Sequence, residues 1–503
     1  MPTLIKNAHV LTMDDEFTEY ENADILIEES KISAIGENLA VPTNMDSLRI
    51  IDGSGKLAMP GLVNGHFHSP GNFRKGALDN LPLEIFMLYE VPPFSEKSSD
   101  HRTNYVRTML GNIEMLKRGI TSVHDDAFYV PVPTEESIDG LMKSYVDCGI
   151  RAVVAIDQPN VVEYEKYPYL SEILPAEIRK EMDSARLMST KELLACYQYL
   201  IEKWHKTENG RIKAGVSVSA PQRITVDYFE ALSAISKNLD IPFNVHILET
   251  KLQRVLGQEK FGKSLVRYVH DLGLLDERMM IIHAIWVDDD DVRMIAEAGC
   301  SIAHNPLCNL RLGSGVMTFR RHRNAGINIC LGSDEGCVDD TTNMWMVGKV
   351  AGLIHSITDT EYRNWPKATE IVWALTRGGA KAMRLEGQTG VLAAGYEADI
   401  ILLDKNTLAF TPLNDIYRQL VYCEDGSSVV MTMVAGKVVM ENGKVLTVDE
   451  EAIKAEVREL MKEYKIEADK ASVDASRLEP YYREMYLKSS ACDVGMNRWV
   501  GES

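Results

Sequence analysis

Between residues 61 and 384 short apolar runs alternate with helical patterns about eight times. The runs are ITSVHDD, RAVVAID, IKAGVSVSA, IPFNVHILE, MMIIHAI, CSIAHNP and INICLGSDE, preceded by GLVNGHFHSP. Between them lie segments such as YVRTMLGNIEMLKRG and VDYFEALSAISKNL, whose apolar residues recur at helical spacing. A chain that alternates strand and helix this often is expected to close as a parallel (β/α)8 TIM barrel of the α/β class. Chemistry in such barrels sits at the carboxyl ends of the strands. Here His66, His124, His246, His283, His304 and Asp334 all stand at the end of an apolar run.

The flanking segments have another character. LIKNAHVLTM, ADILIEESKISAIG and LRIIDGSGKLAMPG are short strand-like runs cut by Gly, Asp and Asn, and so are GVLAAGYEADIILLDK and VVMTMVAGKVVMENGKVL. Residues 1–60 and 385–447 are therefore expected to pair into one small β-sandwich, around a catalytic barrel at 61–384. Residues 448–503 read as a charged helical tail.

Composition narrows the function classes. A formal charge of −20 over 503 residues argues against a nucleic-acid partner and against anionic membranes. Eight scattered cysteines without a CxxC pair argue against a disulfide framework or a thiolate zinc site. No apolar run reaches the length of a membrane span. The expectation is a cytoplasmic protein acting on a small molecule.

His66 and His68 are two apart, so on a strand both point to one side. His246 and Asp334 end later strands, and three imidazoles with one carboxylate suit a single divalent metal, zinc first and iron second. Glu249 follows His246 by three residues and could shuttle protons beside a metal-bound water. His283 could touch that water or the negative charge that develops on reaction.

The set PGLVNGHFHS, HILE, IIHAIW, AHNPLCNLRLGSG and LGSDEG resembles the amidohydrolase superfamily, in its branch of deaminases and chlorotriazine hydrolases. The resemblance spans residues 1–447. It implies His66, His68, His246 and Asp334 as ligands of one metal, and Glu249, His283 and Asp334 as catalytic. Two-metal members carry a lysine at the end of the fourth strand; Ala220 and Pro221 stand there instead, which favours one metal. The implied activity is hydrolytic deamination of an amino-substituted N-heteroaromatic ring of purine, pterin, pyrimidine or triazine type. The alternative is displacement of chloride or alkylamine from an s-triazine-like ring. A non-catalytic scaffold would be expected to lack part of this residue set. Family habit implies a homodimer or a larger assembly.

Candidates for holding the ring are Gln222 and Arg223 after the fourth strand, His304 and Asn305 after the seventh, and Asn309 in the next loop. Arg74 or Lys75 could meet a polar substituent, and Trp286 could stack on the ring. His124 reads as structural, and Glu335 could point away from the site.

Overall fold

A computed structural model describes residues 2–40, 48–95 and 98–500. Eight parallel strands run Leu62–His68, Ile120–Phe128, Arg151–Asp157, Ile212–Ser217, Phe243–Ile247, Met279–His283, Ser301–His304 and Asn328–Glu335. The last pairs back onto the first through Asp334 beside Phe67 and Glu335 beside His68, which closes the barrel. The strands read as nearly continuous Val, Ile and Leu because a parallel sheet covered by helices is buried on both faces.

Two barrel strands are interrupted, each at a glycine. The fourth breaks at Gly215, whose N–H donates to the Val154 carbonyl at 2.8 Å and so carries the pairing across the break. The eighth breaks at Gly332, where a Cβ would come within 2.8 Å of the His66 Cβ and 2.5 Å of Asn305 Oδ1. Any side chain there would push the first and seventh strand ends apart.

Both flanks of the barrel contribute to a second, nine-stranded sheet. Strand Lys56–Pro60 pairs in parallel with Thr3–Leu11 and antiparallel with Ile400–Asp404. Ile5, Val10, Ile25, Ile400, Leu402 and Met433 form its own apolar core. Arg151, at the start of the third barrel strand, joins barrel to sheet. Its guanidinium donates to both oxygens of Asp399 at 2.7 and 3.0 Å, with both side chains buried. Asp399 also accepts from the Ala435 N–H at 2.8 Å and the Thr389 hydroxyl at 3.1 Å.

The helix Glu450–Ser490 starts on an Asp449 cap that accepts from the Ala452 N–H. Ala475, Leu478, Tyr482 and Met485 recur at helical spacing and bury against Leu88, Tyr167 and Leu252. No helix among the described residues is long and apolar enough to cross a membrane.

Candidate active site

At the carboxyl end of the barrel a cleft of about 850 Å³, counted to its open mouth, reaches down to His68, His246, Glu249, His283 and Asp334. Leu83, Phe86, Met87 and Val91 form an apolar wall, and Glu163, Lys166, Tyr167 and Arg223 a polar one.

The strand ends bring His66, His68 and His246 together with Asp126 of the second strand, with ligand-capable atoms within 4.8 Å of one another. Asp334 adjoins the same group: its Oδ1 lies 3.6 Å from His68 Nε2 and 3.8 Å from His66 Nε2. Backbone carbonyls orient two of the rings. His246 Nδ1 faces the Ser219 carbonyl at 2.8 Å, and His68 Nδ1 faces that of Asp126. Each Nδ1 therefore carries the proton and each Nε2 turns a lone pair inward, as metal-ligating imidazoles require. Burial, then the neighbouring rings, pushes His66 and His246 well below the usual histidine range, so both are neutral. Asp126 is fully buried and neither of its oxygens has a well-formed hydrogen bond, although the Ser217 hydroxyl favours its charged form. Burial first and Asp157 second push its pKa well up. A cation in the group would reverse that cost, so the donor set fits a divalent metal.

Glu249 stands across the cleft floor. Burial first and Asp334 second raise its carboxyl to about 8, so it keeps its proton at neutral pH. Oε2 lies 3.5 Å from His283 Nε2, and Oε1 accepts from the Ser314 hydroxyl at 3.3 Å. Burial lowers His283 to about 4. Its Nδ1 faces Asn309 Oδ1 at 2.9 Å, and its Nε2 is 3.6 Å from Asp334 Oδ2. The backbone here is strained: Leu248, His283, Ala284 and Asp334 all have positive φ, of 54°, 74°, 47° and 60°. Each such residue costs of order 1–3 kcal/mol, which the surrounding packing must hold in place.

The candidate ring contacts fall in different places. Asn305 is buried at the floor and donates to Asp334 Oδ2 at 3.2 Å. Arg223 lines the cleft and Asn309 holds His283. Glu335 lines the cleft rather than pointing away. Gln222, His304, Arg74 and Trp286 are buried but do not line it. Arg74 is neither solvated nor aimed at a ligand, because Glu90 takes its guanidinium at 2.5 Å. Trp286 packs against Trp499 at 5.1 Å and donates to the Ser314 carbonyl. His304 packs against His355 with the rings tilted and their centroids 5.4 Å apart. Lys75 pairs with Glu114 at the surface, and His124 meets Asn244 inside the barrel at 2.6 Å. Sequence reasoning passed over Asp126, yet the spacing that drew attention to His66 and His68 recurs in His124-Asp125-Asp126.

Residues 57–439 match the amidohydrolase family. The chain is 31% identical over 458 residues to the 5-methylthioadenosine/S-adenosylhomocysteine deaminase of Carboxydothermus hydrogenoformans, covering 90% of this chain and 96% of that protein. It is 29% identical over 455 residues to the 5'-deoxyadenosine deaminase of Methanosarcina acetivorans, with the same coverage of 90% and 96%. In fold it resembles the atrazine chlorohydrolase of Arthrobacter aurescens TC1 complexed with zinc, with a TM-score of 0.80 at 24% identity over 91% of this chain and 99% of that one. It also resembles an adenosine deaminase of Xanthomonas campestris with bound zinc, at 0.79 and 22% over 92% and 98%. The chain belongs to the amidohydrolase family, as a hydrolase of carbon–nitrogen bonds other than peptide bonds.

Proposed function

We propose that this protein is a zinc-dependent deaminase that hydrolyses the exocyclic amine of an adenosine-type nucleoside and releases ammonia. The observation that carries this reading is geometric: the Glu249 carboxyl, raised by burial, faces His283 Nε2 at 3.5 Å at the floor of a cleft, beside the cluster of histidines and Asp334. An aromatic amidine carbon resists attack until the adjacent ring nitrogen is protonated, and a proton-bearing carboxyl supplies that need. The purine nucleoside class is supported by the relatives named as deaminases of 5'-modified adenosines.

His66, His68 and His246, with Asp126 and Asp334 beside them, would hold the ion. A zinc ion bound there supplies a water acidified enough to attack near neutral pH. With Asn309 Oδ1 as acceptor, His283 carries its proton on Nδ1, and its Nε2 accepts a hydrogen bond from the attacking water. Asp334 takes a proton from that water and passes it to the departing amine. Glu249 protonates the ring nitrogen and recovers its proton as the product carbonyl forms. Water is consumed, the carbon–nitrogen bond breaks, and ammonia leaves. The apolar wall of Leu83, Phe86, Met87 and Val91 suits the flat faces of an aromatic ring.

Ammonia release from zinc-loaded protein tests the reading, using 5'-deoxyadenosine, methylthioadenosine, adenosylhomocysteine, guanine, cytosine and an aminotriazine. Turnover of the adenosines, lost on chelation, is the expected result. Chloride release from a chlorotriazine, with no ammonia from any nucleoside, would replace it with ring dehalogenation.

A further inference from the structure

The mechanism uses nothing beyond residue 335, yet the far end of the chain returns to the residues around Glu249 and His283. Past Ser490 the chain runs back over the loops that follow the fifth, sixth and seventh strands. Lys251, two residues after Glu249, donates to the Ser490 carbonyl at 2.7 Å, and its ammonium lies 5.3 Å from the centre of the Trp499 ring. Arg498 donates through Nε to the Ile285 carbonyl at 3.0 Å and through a terminal nitrogen to that of Val287 at 2.8 Å. These carbonyls follow the strained pair His283 and Ala284 directly.

The same two residues bracket the loop that holds Glu249. Trp499 Nε1 donates to the Gly313 carbonyl at 2.9 Å, and the Arg498 carbonyl accepts from the Val316 N–H at 2.9 Å. Between them Ser314 offers its carbonyl to Trp286 at 2.7 Å and its hydroxyl to Glu249. The Trp499 ring closes over Trp286 edge-on. Five hydrogen bonds and one aromatic contact thus tie a segment outside the family match to both flanks of the candidate acid and its neighbour.

We propose that residues 490–500 form a positioning strap, in which Arg498 and Trp499 hold the Ser314 loop and the Ile285–Val287 turn so that Glu249 and His283 keep their reactive placement. The catalytic role of Glu249 and His283 is the reading given above, on which the strap rests. Neither strap residue touches the cleft. A misplacement of about 1 Å by such a remote change costs on the order of 100-fold in rate.

The test compares wild type with Arg498→Ala/Trp499→Ala and with a chain stopped after Cys492, all zinc-loaded. Two readouts are taken: deaminase kinetics, and amide hydrogen exchange at residues 283–287 and 313–316. Kinetically, kcat falls by about 10- to 100-fold while KM and metal content hold. Trp499→Phe, which keeps the ring, recovers more of kcat than Trp499→Ala. Exchange at the two segments rises at least about ten-fold while the barrel strands stay protected. Unchanged exchange in the truncated chain overturns the strap, whether or not a substrate is in hand. Faster exchange with unchanged kcat overturns its positioning role. Glu249→Gln separates the two readings: full turnover in that variant sinks the catalytic assignment and leaves the exchange result standing.

Discussion

Nε2 of His246 lies 3.2 Å from Nε2 of His66. The Ser219 carbonyl occupies the other nitrogen of His246, so its Nε2 is an acceptor. Either His66 donates to it, or both rings turn their lone pairs on one cation. The second arrangement also relieves buried Asp126, 3.9 Å from His246 Nδ1.

His246→Ala is expected to lose bound metal and turnover together. Asp126→Asn should weaken metal retention by about 10- to 100-fold, whether it acts as a ligand or by orienting His246. Metal analysis after dialysis against graded chelator checks both. In wild type, removing a metal present at a thousand times its dissociation constant should cost about 4 kcal/mol of stability, read as a drop in Tm. Full metal content in His246→Ala would dismiss this site.

In the proposed mechanism Glu249 acts through its protonated form and His283 through its neutral form. Activity governed by this pair should therefore rise as His283 loses its proton and fall at higher pH as Glu249 ionises, with the alkaline limb shifted below about 8 once a cation offsets the Asp334 charge. Glu249→Gln should keep fold and metal, lose about 10²- to 10⁴-fold in kcat, and abolish the alkaline limb. The pH profile of kcat/KM measures the free enzyme. An alkaline limb that persists in Glu249→Gln belongs to another group.

Glu84 gives stability a pH dependence of its own. Burial raises its carboxyl from 4.5 to about 7, against the Thr250 hydroxyl that hydrogen-bonds to it. Between those values the folded chain keeps a proton that the unfolded chain has released. Its contribution is thus complete below about 4.5 and is lost as pH rises through about 7. Glu84→Gln, which still accepts from Thr250, should flatten this decline and be relatively more stable at pH 8 than at pH 5. Urea unfolding at the two pH values decides it, and an unchanged slope between them would remove Glu84 from the account.

The Arg151–Asp399 pair should behave as a buried ion pair. Arg151→Met leaves Asp399 charged without its guanidinium and should cost about 3–5 kcal/mol. Replacing both partners by apolar residues of similar volume should cost less than the single change. Denaturant midpoints with unchanged slopes report the difference, and a double variant worse than the single would reverse the argument.

The barrel was legible because it is periodic. Parallel strands buried on both faces read as apolar runs, and a strand end in such a run exposes one polar side chain to the cleft. That logic led to His66, His68, His246, His283 and Asp334, which gather within one site, and equally to His124 and His304, which are buried in the barrel and do not line the cleft. It stopped at His124 and missed Asp126, two residues further along the same run, which reaches the histidine group because the second strand continues to Phe128. Residues outside the strands were harder to read. Trp286 looked free to stack on a ligand, but its face is taken by Trp499, a partner more than two hundred residues away in sequence. Arg74 looked like a substrate-facing charge, but Glu90 on the next helix claims it. Such contacts depend on how loops fold back on the barrel, and periodicity carries no trace of that.

The pairing of Lys56–Pro60 with Ile400–Asp404 sets an order of events on the ribosome. The earlier strand emerges first and its antiparallel neighbour follows more than three hundred residues later. At 5–20 residues per second that is an interval of about 20–70 s. Throughout it the strand keeps one open edge, rich in the main-chain donors and acceptors that invite foreign strands. A nascent chain of this topology therefore carries a hazard of mispairing during synthesis, and slowing translation within the barrel would lengthen that exposure without altering the finished molecule.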